Sequence, residues 1–135
     1  MEVKKLGFGL LTITTLSVIP LSVITISQPT YANSFNLIGD WSGSPDCPLI
    51  IYEDDGKNIK GNCDNGSYSH VINGSYASEN KISVIVTRKD TNNCETSVRG
   101  FIQVIDNNNL KYSQEGWNGC GVRTKPAKRD LIRVN

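Results

Sequence analysis

From Asn36 onward, apolar and polar residues alternate in short runs separated by Asn, Asp, Ser and Gly. Val98-Arg99-Gly100-Phe101-Ile102-Gln103-Val104 and Ile72-Asn73-Gly74-Ser75-Tyr76 are typical. Period-two alternation buries one face of a strand and wets the other. On this pattern eight strands are expected: Asn36 to Ser44, Pro48 to Asp54, Lys57 to Cys63, Tyr68 to Tyr76, Ile82 to Arg88, Glu95 to Ile105, Leu110 to Gly116 and Arg129 to Val134. No window combines a helical period with caps, so the fold class is all-β.

The turns convert strands into a topology. Asp54-Asp55-Gly56, Ser78-Glu79-Asn80 and Asp106-Asn107-Asn108-Asn109 supply residues that tolerate a left-handed backbone, which tight hairpins require. Folding about Asn107 sets Val104 against Leu110 and Ile102 against Tyr112. Folding about Glu79 sets Ile82 against Tyr76 and Val86 against Ile72. Folding about Asp55 sets Ile51 against Ile59 and Leu49 against Gly61. A slip of one residue would expose each of these apolar sets.

The chain has four cysteines, and they fall on the same mirrors. Cys47 and Cys63 are symmetric about Asp55, and Cys94 and Cys120 about Asn107, which predicts two cross-strand disulfides. Zinc binding is disfavoured, because there is no Cys-x-x-Cys spacing and His70 is the one histidine. No metal or cofactor is expected. Successive hairpins leave two open edges unless the last strand pairs with the first, so the expected architecture is an eight-stranded antiparallel up-and-down barrel. A two-sheet sandwich is the alternative that the pattern leaves open.

The N-terminus begins Met1-Glu2-Val3-Lys4-Lys5, followed by an apolar stretch from Leu6 to Ile26 and by Tyr31-Ala32. A charged start, an apolar middle and a small residue before the cut resemble an export signal, here residues 1–32. Pro20 and the many Ser and Thr residues weaken an uncleaved membrane anchor, and no stable anchor is expected after cleavage. Residues 33–135 then form a single domain of about 103 residues, in keeping with one modest core. Paired cysteines behind a signal point to a secreted or periplasmic location.

Loss of Glu2, Lys4 and Lys5 leaves as many acidic as basic side chains. No global field would draw the domain to nucleic acid or membrane. The charges are unevenly spread, however. Acidic residues crowd Asp40 to Asp64, and Arg123, Lys125, Lys128, Arg129 and Arg133 crowd the end.

Gly39-Asp40-Trp41 on the first strand, with Arg133 on the last, resembles the calycin group of barrels, which includes lipocalins and avidins. The resemblance implies that Trp41 and Arg133 form a structural plug at the closed end, cation over indole. It carries no ligand. Avidin-type sites need more tryptophans than Trp41 and Trp117, and the inward list from Leu49 to Tyr112 is bulky enough to predict a packed interior.

Candidate chemistry is sparse. His70 is read as an ordinary rim or surface histidine, and Glu53-Asp54-Asp55 as a solvated turn lacking the apolar setting that separates two carboxylate pKa values. Asn65-Gly66-Ser67 and Asn73-Gly74-Ser75 match glycosylation sequons and are also common turn chemistry. Both disulfides fall at one end of the meander, with the longer connections. Clamped loops on a rigid scaffold are where recognition concentrates, so Trp117, Asn118, Asn65, Asn93 and Arg123 are the candidate ligand-binding residues.

The expected function is an exported, non-enzymatic module that recognises an extracytoplasmic protein or glycan. Exported barrel inhibitors of metalloproteases are a comparable architecture. A small hydrolase using Glu95 or Glu115 with Arg99 or Arg123, and an envelope structural protein, are the alternatives. Each crosslink is expected to stabilise the domain by about 3 kcal/mol. Reduction should therefore lower the melting temperature by more than about 10 °C in a calorimetric scan, and an unchanged midpoint would refute the framework.

Overall fold

The computed structural model describes residues 34–43 and 47–135. The export signal read at 1–32 lies outside the described residues. The described residues form ten strands: β1 (Gly39–Ser42), β2 (Leu49–Asp54), β3 (Asn58–Asp64), β4 (Tyr68–Ser78), β5 (Lys81–Asp90), β6 (Glu95–Val104), β7 (Asn109–Gln114), β8 (Asn118–Gly119), β9 (Val122–Arg123) and β10 (Ala127–Arg133). Eight of them close into a barrel in the order β1-β10-β7-β6-β5-β4-β3-β2, and β8 and β9 form a separate ribbon. All pairings are antiparallel. Closure settles barrel against sandwich, and a closed eight-stranded antiparallel barrel is consistent, at this coarse level, with a calycin-like fold.

Most of the expected register holds. Tyr76 faces Ile82, Ile72 faces Val86, Ile102 faces Tyr112 and Val104 faces Leu110. The β2–β3 hairpin departs from expectation: Ile51 faces Gly61 rather than Ile59, and Asp54 faces Ile59. The turn itself explains the shift. Asp55 accepts the amides of Lys57 and Asn58 at 2.8 and 2.6 Å, and Asp54 accepts that of Gly56. These bonds centre the reversal beyond Asp55, on Gly56 with its φ of 78°. A bulge between Ile51 and Glu53 then absorbs one residue. Cys47 precedes β2 and still meets Cys63, with Cα atoms 5.6 Å apart.

The expected seventh strand also ends early. β7 stops at Gln114 because the chain leaves the wall at Gly116, where a Cβ would sit 2.0 Å from the Thr124 carbonyl oxygen. The departing segment builds β8 and β9, which alternation alone does not reveal.

The closed end is packed with apolar side chains. Trp41, fully buried, packs with Leu37, Ile51, Ile59, Ile82, Ile102 and Leu110. Its Nε1 donates to the Leu37 carbonyl at 3.0 Å. The Arg133 guanidinium lies 4.6 Å from the Trp41 ring centroid. It also donates to the carbonyls of Asn107, Ile38 and Asn36. One side chain thus ties the entry segment, the β6–β7 turn and the last strand together.

Replacing Arg133 by Ala should cost about 1–3 kcal/mol in urea denaturation, and Arg133→Lys should recover less than half of it, since only the fork reaches three carbonyls. A second prediction concerns pH. Hydrogen bonds from the Asn58 and Lys57 amides hold the Asp55 carboxyl below its ordinary value of 3.8. A depressed folded pKa contributes stability above the unfolded value and loses it as pH falls through the folded one. The stability advantage of the parent over Asp55→Asn should therefore be present near about pH 6 and vanish toward about pH 2, read as the difference in melting temperature. A difference independent of pH would contradict it.

Candidate functional site

Both disulfides lie at the pole opposite the plug. Cys63 sits near the end of β3 and Cys94 just before β6, and the Cys94–Cys120 pair has Cα atoms 5.7 Å apart. Cys120 and Gly121, with φ of 52° and 72°, turn the β8–β9 ribbon between the paired residues Gly119 and Val122. Positive φ at both central positions matches the twist of a tight hairpin. The disulfide therefore fastens the ribbon's tip to the β5–β6 turn, and Gly119 passes close to Thr96.

The base of the ribbon carries Trp117. Its backbone is held to Thr124 in both directions, Trp117 N to Thr124 Oγ1 and Thr124 N to Trp117 O, each at 3.0 Å. The indole is only 7% exposed. It stacks on His70, with centroids 5.2 Å apart and planes 20° from parallel. Tyr68 lies against the same imidazole, its centroid 4.9 Å from that of His70 and its plane tilted by 35°, and the Arg88 guanidinium lies 4.4 Å from the Tyr68 centroid.

Under Trp117 the barrel is hollow, with a cavity of about 370 Å³. The packed interior expected from the bulk of the inward residues is thus found at the plug end alone. Leu49, Ile72, Val86 and Leu131 form an apolar floor. Tyr112, Gln114, His70, Trp117 and the Cys47–Cys63 bridge form the walls, and Lys125, Lys128 and Arg129 stand at the lip. Tyr112 donates to Gln114 Oε1 at 2.5 Å. Burial pushes the Tyr112 phenol well above its ordinary value, so it remains a neutral donor. Among the described lining residues there is no carboxylate.

The five expected rim residues do not form one surface. Trp117 is part of the cavity wall rather than a free-standing anchor. Asn118 and Arg123 are exposed Cα partners across the ribbon. Asn65 accepts the amides of Ser67 and Tyr68 within its own turn. Asn93, at a φ of 60°, donates its amide to Asp90 in another turn. Both asparagines belong to the stapled pole as turn builders.

The alternative enzyme residues are dispersed as well. Glu95 pairs with Lys89 at 3.7 Å, Glu115 accepts the Arg99 amide at 3.3 Å, and none of Glu95, Glu115, Arg99 and Arg123 lines the cavity. Ligand atoms of Cys47, Cys63 and His70, and of Asp90, Cys94 and Cys120, lie within 4.8 Å of one another. In both groups the sulfurs are bonded to each other, which removes the thiolates a metal would need.

Tyr112, on the expected inward list, and His70, read from the sequence as an ordinary rim or surface histidine, both stand in the cavity wall. His70 stands two residues before inward Ile72, so strict period two does point it and Tyr68 inward. Comparison with family models, with curated proteins and with solved structures finds no match to this chain.

Proposed function

We propose that the chain is an exported, non-enzymatic binding module, secreted or periplasmic, that takes a protruding group of an extracytoplasmic protein or glycan into the mouth of the barrel. The observation that carries this reading is the hollow of about 370 Å³ beneath a covalently fastened ribbon, with an apolar floor and a cationic lip. Ligand sites are typically concave, mostly apolar and oriented by a few polar groups. The two disulfides support an oxidising, extracytoplasmic setting. The Gly39-Asp40-Trp41 start and Arg133 are read as the lipocalin- or avidin-like part of the molecule, confined to the plug.

Structural duties of the carboxylates favour binding over turnover. Asp54 receives the Leu37 amide and the Tyr76 hydroxyl, Asp55 caps its turn, and Glu53 pairs with Lys60 at 2.9 Å. Stacking by Tyr68 and Trp117 likewise orients His70 as a wall.

Two measurements test the reading. A glycan array and a pull-down from culture medium should yield a partner whose affinity falls by about 30-fold with Trp117→Ala, a hot-spot-sized loss. Because Trp117 is buried, Lys125→Glu with Arg129→Glu at the lip is the companion variant, expected to weaken the same partner without lowering the melting temperature. Trp41→Phe leaves Trp117 as the sole tryptophan outside the signal, and its emission should shift on binding. Turnover of an ester, glycoside or peptide that disappears with Glu95→Gln or Glu115→Gln would replace this reading with the enzyme.

A further inference from the structure

The outer wall carries a second recess, separate from the mouth. A shallow groove of about 510 Å³ crosses β5, β6, β7 and β10, and among its lining residues are Lys81, Phe101, Lys111, Lys128 and Arg129. The register shows how it is built. Lys81, Gln103, Lys111 and Asp130 face one another across four strands, and Ser83, Phe101, Ser113 and Lys128 form the next row on the same face. Strands spaced at about 4.8 Å put the Lys81 and Lys111 backbones roughly 10 Å apart.

These cations are left uncompensated. The ion pairs among the described residues are Lys60 with Glu53 and Lys89 with Glu95, so none of the three outward cations, Lys81, Lys111 and Lys128, is in one. Asp130 is the single carboxylate lining the groove, and it stands across from Lys111 without pairing. Phe101, 45% exposed, provides a floor, with Lys81 Nζ 4.6 Å from its ring centroid. Gln103 and Ser113 offer uncharged hydrogen-bonding groups between the cations. Cations gathered around an exposed ring on one wall, in a domain with balanced total charge, make a local positive field that attracts anions.

We infer that this groove binds a strand of acidic polysaccharide, its carboxylate or sulfate groups meeting Lys81, Lys111 and Lys128 and a sugar ring lying near Phe101. Three features select this occupant. The barrel wall is closed, so the groove has no free strand edge to which an extended acidic peptide could add by backbone hydrogen bonds. The recess is concave and Lys81 covers part of Phe101, which suits a chain lying in it better than a flat anionic bilayer. The cations alternate with amide and hydroxyl groups that match a polymer carrying both charges and hydroxyls. Tyr112, Lys128 and Arg129 border both recesses, so a bound chain would run toward the mouth. The groove site nonetheless stands independently of the mouth reading.

The test uses the folded domain and fluorescently labelled polygalacturonate and heparin, in solution. Binding to at least one is expected, and it should weaken at least about 10-fold when ionic strength rises from about 0.05 M to about 0.5 M. Lys81→Glu with Lys111→Glu should reduce affinity at least about 30-fold, and Phe101→Ala about threefold or more. Lys57→Glu with Lys60→Glu on the far side, a change of equal net charge, should leave affinity within about twofold. Equal losses from the two double variants would reduce the effect to net charge and overturn the site. So would binding of neutral dextran with the same affinity, or binding to phosphatidylglycerol-containing vesicles but to neither polysaccharide.

Discussion

The contact of Arg133 with Trp41 holds the closure on which the rest of the barrel depends. β1 is only four residues long, and its seam with β10 registers just Trp41 with Arg133 and Ser42 with Ile132. So short a ladder would be a weak point, because each backbone hydrogen bond adds only about 1 kcal/mol net. Arg133 compensates by joining three carbonyls from two other segments while lying over a fully buried indole. Val134 adds its amide to the Asp40 carbonyl at 2.8 Å, extending the seam by one bond. Without this junction β1 and β10 would each present an edge to solvent, with the pairing hazards that edges carry.

A sealed lower end frees the upper end to be hollow. The largest fully buried side chains, including Trp41, Leu37, Ile51, Ile59, Ile82, Ile102 and Leu110, concentrate the apolar core. Above them the inward positions change character, to Tyr68 and His70 on β4, Arg88 on β5, and Tyr112 and Gln114 on β7. These residues meet one another through ring, cation–π and hydrogen-bond contacts, Tyr68 on His70, Arg88 over Tyr68 and Tyr112 onto Gln114, rather than through close apolar packing. What prevents the mouth from fraying is covalent: the two disulfides tie Cys47 to β3 and the ribbon tip to the β5–β6 turn. Rigidity there comes from crosslinks and at the other pole from packing, which lets one small domain have both a core and a cavity.

Alternation and cysteine symmetry made the barrel legible in the sequence, since both derive from the same antiparallel pairing. The β4–β5 and β6–β7 registers follow directly from turns whose centres are fixed by sequence. The β2–β3 register does not, because side-chain capping by Asp54 and Asp55 competes with the mirror defined by the cysteines and moves the reversal, and the bulge repairs the difference. The mouth was less legible still. Gly116 and the Cys120-Gly121 turn redirect the chain through close backbone approach and positive φ, which carry no periodicity. Trp117 was visible as an unusual residue, but its stacking on His70 joins positions 47 residues apart and depends on where the ribbon folds back.

Balanced composition also conceals how the two signs of charge are used. Many of the acids are engaged locally: Asp54, Asp55, Asp64, Asp90 and Asp106 each accept a turn amide, and Glu53 and Glu95 pair with lysines. Hydrogen bonds of this kind lower the Asp106 carboxyl, chiefly through the Asn108 amide, as they do that of Asp55. Apart from Arg133, which holds the plug, the cations of β7, β10 and the preceding loop form no ion pair among the described residues, and Lys111, Lys125, Lys128 and Arg129 line the mouth or the outer groove. A carboxylate that caps a turn still contributes its charge, but at a fixed place in the turns at the two ends of the barrel. Lys81, Lys111 and Lys128 outnumber Asp130 on the β7–β10 side although the total charge is near zero, and it is this separation, rather than net charge, that would give the proposed anionic partner a preferred side from which to approach.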